Sequence, residues 1–546
     1  MKNLIRFLVC IFALAALLAI ANFVLKHPQN QEGDISREIA SGDIPYKLET
    51  LNVPAQEVKA PVLPDISGYT AEAVEKKIPD LQKGEIAIQN LEDSYIKVRR
   101  LVMTFGDMQQ RLDPAIIAIV EGVYDLETVY KTINDPSYLD KKADGTFVAY
   151  VPIIVKSTAT FIIQNQKLLL SSSSGGLITS FGKLYIVNSD IRGWDTHKNI
   201  PATFKDDESF RPYVVGWCGS QMYLSGSHFG HLGYFDSKAY GITYTSCHDT
   251  VYDLNFGNLP GATGWVIDNI FDDIYYGFYS FESDDVVVLR NKYKDNIVYG
   301  IDPHDRSNRL IIGHNHIYGT KQKHGIIISR EVNDSFLFHN LSENNQGSGM
   351  MIDRKSVNNV IAYNTLKNNT GDGLTFYESE NNLSYANIMS SNQKSGMRVR
   401  NSWGITSRDD VINQNKGVGL QAYTDNLQES GHDKRNLNVD PYYERVEIDM
   451  AHAEMVGNRE AQFKIENIDA LKLSALKTFK NPPFFFAGDL KKLDIQHTRS
   501  LYDPDKSFLI THKNRRPIFH QGKNPIKKHE LSTSTSDAFN EDDNEE

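Results

Sequence analysis

His324-Gly325-Ile326-Ile327-Ile328-Ser329, Ser348-Gly349-Met350-Met351-Ile352-Asp353, Asp372-Gly373-Leu374-Thr375-Phe376-Tyr377 and Ser395-Gly396-Met397-Arg398-Val399-Arg400 repeat one template. It extends back to Tyr299-Gly300-Ile301-Asp302 and forward to Val418-Gly419-Leu420-Gln421, so the glycines step by 25, 24, 24, 23 and 23 residues, and Gly277 lies 23 before Gly300. Two asparagine columns keep the same period: Asn269, Asn291, Asn315, Asn340, Asn364 and Asn387, and Asn345, Asn369, Asn392 and Asn415. Three columns with a common period are the signature of a solenoid. Leucine-rich repeats share the period, but they need an L-x-x-L-x-L pattern and a helical half. Here each unit has short alternating apolar runs punctuated by Asn and Gly. The expected fold is therefore all-β, a right-handed parallel β-helix. Stacked asparagines would hydrogen-bond along each corner, and glycine would supply bend angles that other residues avoid.

Alternation within the template separates inside from outside. Positions one and three after each glycine (Ile326/Ile328, Met350/Ile352, Leu374/Phe376, Met397/Val399, Leu420/Ala422) suit a core. Positions two and four then line an outer face with rungs ~4.8 Å apart, a groove for a linear ligand. Residues 22–144 are expected to be an N-terminal linker and cap, 145–480 the β-helix, 481–531 late coils or a cap, and 532–546 a disordered acidic tail. A cap is needed because an open β-helix end exposes unpaired backbone.

Lys2, Arg6 and an apolar run from Phe7 to Leu25, with Ala19-Ile20-Ala21 as a cleavage candidate, read as a signal peptide over residues 1–21, with an uncleaved anchor as the alternative. Either way the body leaves the cytoplasm, and a periplasm fits best. Cys10 lies in the signal. Cys218 and Cys247 remain, either as a disulfide or as two buried small apolar side chains.

The 58 basic and 69 acidic side chains give a net charge of −11, which argues against nucleic acid as a partner. Six of the acids lie in the last ten residues, so the body carries about −5. One segment reverses the sign. Ile301 to Arg330 holds Arg306, Arg309, Lys321, Lys323 and Arg330 against Asp302 and Asp305. That local +3 suits an anionic polysaccharide.

The same segment breaks the strand rules. Asp302-Pro303-His304-Asp305 puts a proline where a strand paired on both sides would lose a ladder hydrogen bond, as expected where function overrides stability. Asp302 and His304 should point outward. Asp305, Arg330, Arg354 and Glu378 should share one column, which brings Arg330 one rung from Asp305.

Tyr299 to Asp305 with Arg306-Ser307, and Lys323 to Asn333, closely resemble the periplasmic mannuronan C5-epimerases of alginate synthesis, the AlgG type. The resemblance runs on through Met350 to Arg354, Thr375 to Ser379 and Gly396 to Ser402, and faintly back to Pro64-Asp65 and Gly68-Tyr69-Thr70. It implies polymannuronate as substrate and C5 inversion as the reaction, with His304 as base, Arg330 neutralising the substrate carboxylate, and water as the acid. Physically, the proton α to a carboxylate is hard to remove while that carboxylate is negative, so a bidentate Arg330 would stabilise the dianionic intermediate. Asp302 or Asp305 would orient His304, and Tyr299 or Tyr377 would be the next choice of acid. Lys321, Lys323, His324, Arg354, Tyr377, Arg398 and Arg400 would hold neighbouring uronates. No metal or other cofactor is expected. Proteins of a periplasmic alginate secretion complex are the expected partners. A polyuronate lyase and a non-catalytic polysaccharide-binding scaffold of an export complex are the alternative functions.

Overall fold

A computed structural model describes residues 44–517, apart from 55–56, 92–98, 237, 248–258, 431–435, 439, 480–483 and 494–500. The expected signal peptide and acidic tail lie outside these residues. Each coil carries three short strands. Tyr299–His304, Ile311–Gly313 and His316–Tyr318 make one coil, and they pair in parallel with Ile326–Ser329, Phe336–Phe338 and Leu341–Glu343 of the next. Stacked coils thus give three parallel faces. The first face carries the glycine template, and its strands pair in succession from Val214–Gly216 to Phe484–Gly488, with one register shift between Gly241 and Thr243.

The inward positions are fully buried: Ile326 and Ile328, Met350 and Ile352, Leu374 and Phe376, Met397 and Val399, and Leu420 and Ala422 are all at 0% exposure. The asparagine columns are hydrogen-bonded ladders at the corners. Asn364 Nδ2 donates to Leu337 O (2.9 Å) and to Asn387 Oδ1 (3.0 Å), while its Oδ1 accepts from Asn340 N (2.9 Å). Each side chain therefore satisfies backbone groups on both sides of the preceding coil's turn, which the turn leaves unpaired.

The glycine column has a different cause from the one expected. None of Gly277, Gly300, Gly325, Gly349, Gly373, Gly396 or Gly419 has a positive φ; they are glycines because a Cβ would not fit. At Gly325 it would meet Ser342 Oγ at 2.1 Å, and at Gly300 Ile317 Cγ2 at 2.4 Å. The left-handed conformations fall instead on the turn after the strand, at Asp305, Arg330, Arg354 and Glu378 (φ 38°, 62°, 49° and 46°). Those four form one column, as expected: Asp305 N donates to Ser329 O, Arg330 N to Asp353 O and Arg354 N to Tyr377 O.

Parallel pairing starts earlier than the glycine period. Two long strands, Ala115–Asp125 and Ile153–Gln164, already pair in parallel, so coil structure reaches into the 22–144 stretch. Gln82–Asn90 adds antiparallel to the first of them. Phe105, on the helix Arg99–Gln109, packs with Ile116, Ile154, Val215 and Trp217 on the outer side of these first coils. Cys218 and Cys247 form a disulfide in the same cluster, with a Cα–Cα distance of 5.1 Å. At the far end Ser507–His512 lies antiparallel to both Ala470–Ser474 and Tyr46–Leu51. The chain between Leu51 and Gln82 thus runs from the last coils to the first across the second face. Val74 packs there with Tyr185 and Val287, Tyr69 O accepts from Arg290 Nη2, and Lys77 Nζ lies 4.6 Å from the Trp265 ring centre. Among the described residues no helix is long and apolar enough to cross a membrane.

Candidate active site

The strand Tyr299–His304 is the irregular member of the first face. Proline at 303 has no N–H, and the ladder to the next coil is kept at Ile301/Ile326 and His304/Ser329 but interrupted between them. Ile301 points inward at 0% exposure, whereas Asp302, His304 and, before them, Tyr299 face an open cleft. Ser329, Arg330, Asp353 and Arg354 complete it on the following rungs, and Tyr240, Tyr276 and Tyr279 close it on the preceding side.

Two carboxylates were candidates to orient His304. The hydrogen-bond partner is Asp305, whose Oδ2 meets His304 Nδ1. With Nδ1 occupied, Nε2 is the nitrogen free to act on a ligand. Arg330 Nη1 lies 4.0 Å from the same Oδ2, too long for a hydrogen bond, and 28% of its side chain is exposed. A carboxylate could therefore enter between the guanidinium and the cleft without displacing a formed bond. Burial alone would lower the His304 pKa, but Asp305, by charge and hydrogen bond, and then Asp302 outweigh it, and the net shift is upward. Burial would likewise raise Asp305. His304 and then Arg330 and Arg306 more than reverse that and hold its carboxyl well below the usual carboxylate range.

The other expected residues divide into those at the cleft and those already engaged. Tyr299 lines the cleft, with Lys323 Nζ 5.6 Å from its ring centre and the His324 ring stacked on it at 6.0 Å. Burial, helped by Lys323, pushes His324 down to about 4, and its Nδ1 accepts from Ser348 N (2.8 Å), so it is neutral and can offer only Nε2–H. Arg354 lies on the cleft but is 7% exposed, 3.5 Å from Asp353 and 3.8 Å from Asp440. Arg398 is held bidentately by Asp372 (2.6 and 2.9 Å), and Arg400 by Glu378 (2.9 and 3.2 Å) while lying 3.7 Å above the Tyr377 ring. Tyr377 is three rungs from His304 in the same column, ~14 Å away, and is out of reach of a carbon held at His304.

The basic character of residues 301–330 is largely neutralised by acids one or two coils earlier. Arg306 pairs with Glu282, Arg309 with Asp284 and Asp285, and Lys321 with Asp273. Arg330 and Lys323 are the cations of that segment left beside the cleft and its tyrosine. Sequence reasoning missed Tyr240, Tyr276 and Tyr279. Two of them were within its reach, since Tyr276 and Tyr279 pair with Tyr299 and Asp302 one rung back. Tyr240 precedes a coil of irregular length and lay outside the period. Among the described residues no group of three or more His, Cys, Asp or Glu side chains could hold a metal ion.

Comparison with known proteins gives a consistent picture. Residues 240–402 and 321–428 match the right-handed β-helix region family. The chain is 36% identical over 478 residues to the mannuronan C5-epimerase AlgG of Azotobacter vinelandii, covering 85% of this chain and 89% of that protein. It is 40% identical to the mannuronan C5-epimerase of Pseudomonas aeruginosa, with 85% and 86% covered. Crystal structures of the periplasmic alginate epimerase AlgG superpose with TM-scores of 0.72 (a double mutant, 36% identical) and 0.69 (37% identical), each covering 79% of this chain and all of the other.

Proposed function

This chain belongs to the mannuronan C5-epimerase family, and from that premise we propose that it inverts C5 of mannuronate residues in polymannuronate with His304 as base and Arg330 as carboxylate clamp. The observation that carries the assignment is the His304–Asp305 pair facing the cleft, with the Arg330 guanidinium 4.0 Å from the shared carboxylate and not bonded to it.

The substrate carboxylate pairs with Arg330, which offsets its charge and that of the dianion formed when the C5 proton leaves. His304 Nε2 takes that proton in its neutral form; the upward shift imposed by Asp305 makes it a stronger base and confines the reaction to the less acidic range. Asp302, 2% exposed beside the base, adds negative potential that stabilises the imidazolium formed. The proton returns from the opposite face, which is turned to the open side of the cleft, so water is the acid; Tyr299, one of the four tyrosines on the cleft, could replace it. Lys323 and neutral His324 contact neighbouring sugars on the rim where Tyr299 stands. Arg354, Arg398 and Arg400 act with their paired carboxylates as hydrogen-bonding surfaces rather than as free cations. The reaction is placed in the periplasm, reached through the N-terminal signal, in company with alginate secretion proteins.

Proton NMR of polymannuronate treated in D₂O tests the proposal. Loss of the C5 signal with new guluronate resonances is expected from the native chain and not from His304→Ala. An unsaturated uronate absorbing in the ultraviolet would overturn it in favour of a lyase, and polymer binding without exchange in favour of a scaffold.

A further inference from the structure

The outward column through Asp302 behaves differently on the two sides of the base. Toward the C-terminal coils it continues through Ile327, Met351, Thr375, Arg398, Gln421 and Lys464. Its first three members form a recessed floor, and from Arg398 onward the side chains are partly exposed and polar. That is six further rungs, or ~29 Å at ~4.8 Å each.

Toward the N-terminal coils the same column runs through Tyr279, Thr243 and Val215, at 4%, 0% and 1% exposure. A stack of rings covers it at once. Tyr240 stacks on Tyr276 (4.7 Å) and meets Tyr279 edge-on (4.8 Å), and Tyr276 stacks on Tyr275 (5.0 Å). Beyond that wall Val215 is enclosed with Phe105 of the helix Arg99–Gln109.

We infer that the groove floor ends at the N-terminal side of the base, where a longer chain lifts away over the tyrosines, so that a polyuronate is gripped asymmetrically. About one sugar lies beyond His304 toward the tyrosine wall, and about six lie along the open arm, because a pyranose residue advances a chain by roughly one rung. This rests on the epimerase reading above and adds a specificity to it. A sugar next to one terminus of the polymer can reach the base, whereas sugars near the other terminus cannot, because the arm would then be unfilled. The wall of Tyr240, Tyr276 and Tyr279 is what sets this limit.

Each turnover in D₂O removes a C5 proton and returns a deuteron, so position can be read by mass. Oligomannuronates of about ten sugars, tagged at the reducing end, are treated with the full chain in D₂O and sequenced by tandem mass spectrometry. Deuterium is expected to reach within one or two sugars of one terminus and to be missing from roughly the last five at the other. Equal unlabelled lengths at both termini would overturn the asymmetric grip while leaving the epimerase reading intact. Absence of deuterium from the oligomers and from long polymannuronate alike would overturn the epimerase reading itself.

Discussion

Replacing Arg330 by alanine removes the charge opposite the substrate carboxylate. In the proposed geometry the two charges are about 4 Å apart at a partly exposed site, where an effective dielectric near 20 gives about 4 kcal/mol of attraction. The bound ground state carries one negative charge and the intermediate two, so about the same amount again is realised only as the C5 proton leaves. Loss of that second increment corresponds to roughly 10³ in kcat, and the 28% exposure of the Arg330 side chain, which lets water take over part of the role, brings the expectation to about 10²–10³. The first increment should appear as a higher KM. Arg330→Lys keeps the charge and loses the fork, and should recover most of the rate, to within about tenfold of the native chain. Both variants are read by C5 proton exchange of polymannuronate in D₂O at saturating and limiting polymer. An Arg330→Ala protein whose kcat stays within about threefold of native would refute the clamp.

Asp305→Asn removes the carboxylate that raises His304, so the acid limb of kcat/KM should move to lower pH while the plateau falls by up to the ~10²–10⁴ that general-base catalysis contributes; an unmoved limb would dissociate Asp305 from the base. Asn364→Ala deletes bonds to Leu337 O, Asn387 and Asn340 N inside a fully buried corner, and should cost about 3 kcal/mol in urea unfolding; a loss below about 1 kcal/mol would mean the ladder is not a stabilising element. Asp410 continues the asparagine ladder beneath Asn387, and burial pushes it up to about 6. Its folded pKa exceeds the unfolded value of 3.8, so the stability it contributes is full below about pH 4 and is lost as pH rises through 6, by up to about 3 kcal/mol. Asp410→Asn should therefore unfold at higher urea at pH 7 and lose the slope between pH 4 and 6; an unchanged slope would contradict the assignment.

What the sequence carried was whatever repeats. The glycine template and the asparagine columns revealed the coil, and alternation within the template sorted Ile326 and Ile328 inward and Asp302 and His304 outward. Proline in Asp302-Pro303-His304-Asp305 marked the site because it broke that rule. The reason for the glycines was not legible, since the contact that forbids a Cβ at Gly325 comes from Ser342, across the coil interior. Charge was misleading for a similar reason. The partners of Arg306, Arg309 and Lys321 lie one coil earlier or more, so a window of sequence counts cations whose acids it does not include. Tyr240 could not be found because its coil departs from the period, and the crossing of the second face by residues 52–81 has no periodic signal at all.

That crossing changes the physics of a stack. Coils that touch only their neighbours form a one-dimensional array, which can fray from either end. Here Tyr46–Leu51 is locked to Ser507–His512 and Gln82–Asn90 to Ala115–Asp125, so opposite ends of the array share a tether. An early-synthesised strand must wait for one of the last to emerge before its ladder can close. A chain truncated before Ser507 would leave two unpaired edges, at Ala470–Ser474 and at Tyr46–Leu51, open to proteolysis, and the tether forms only once Ser507–His512 is in place.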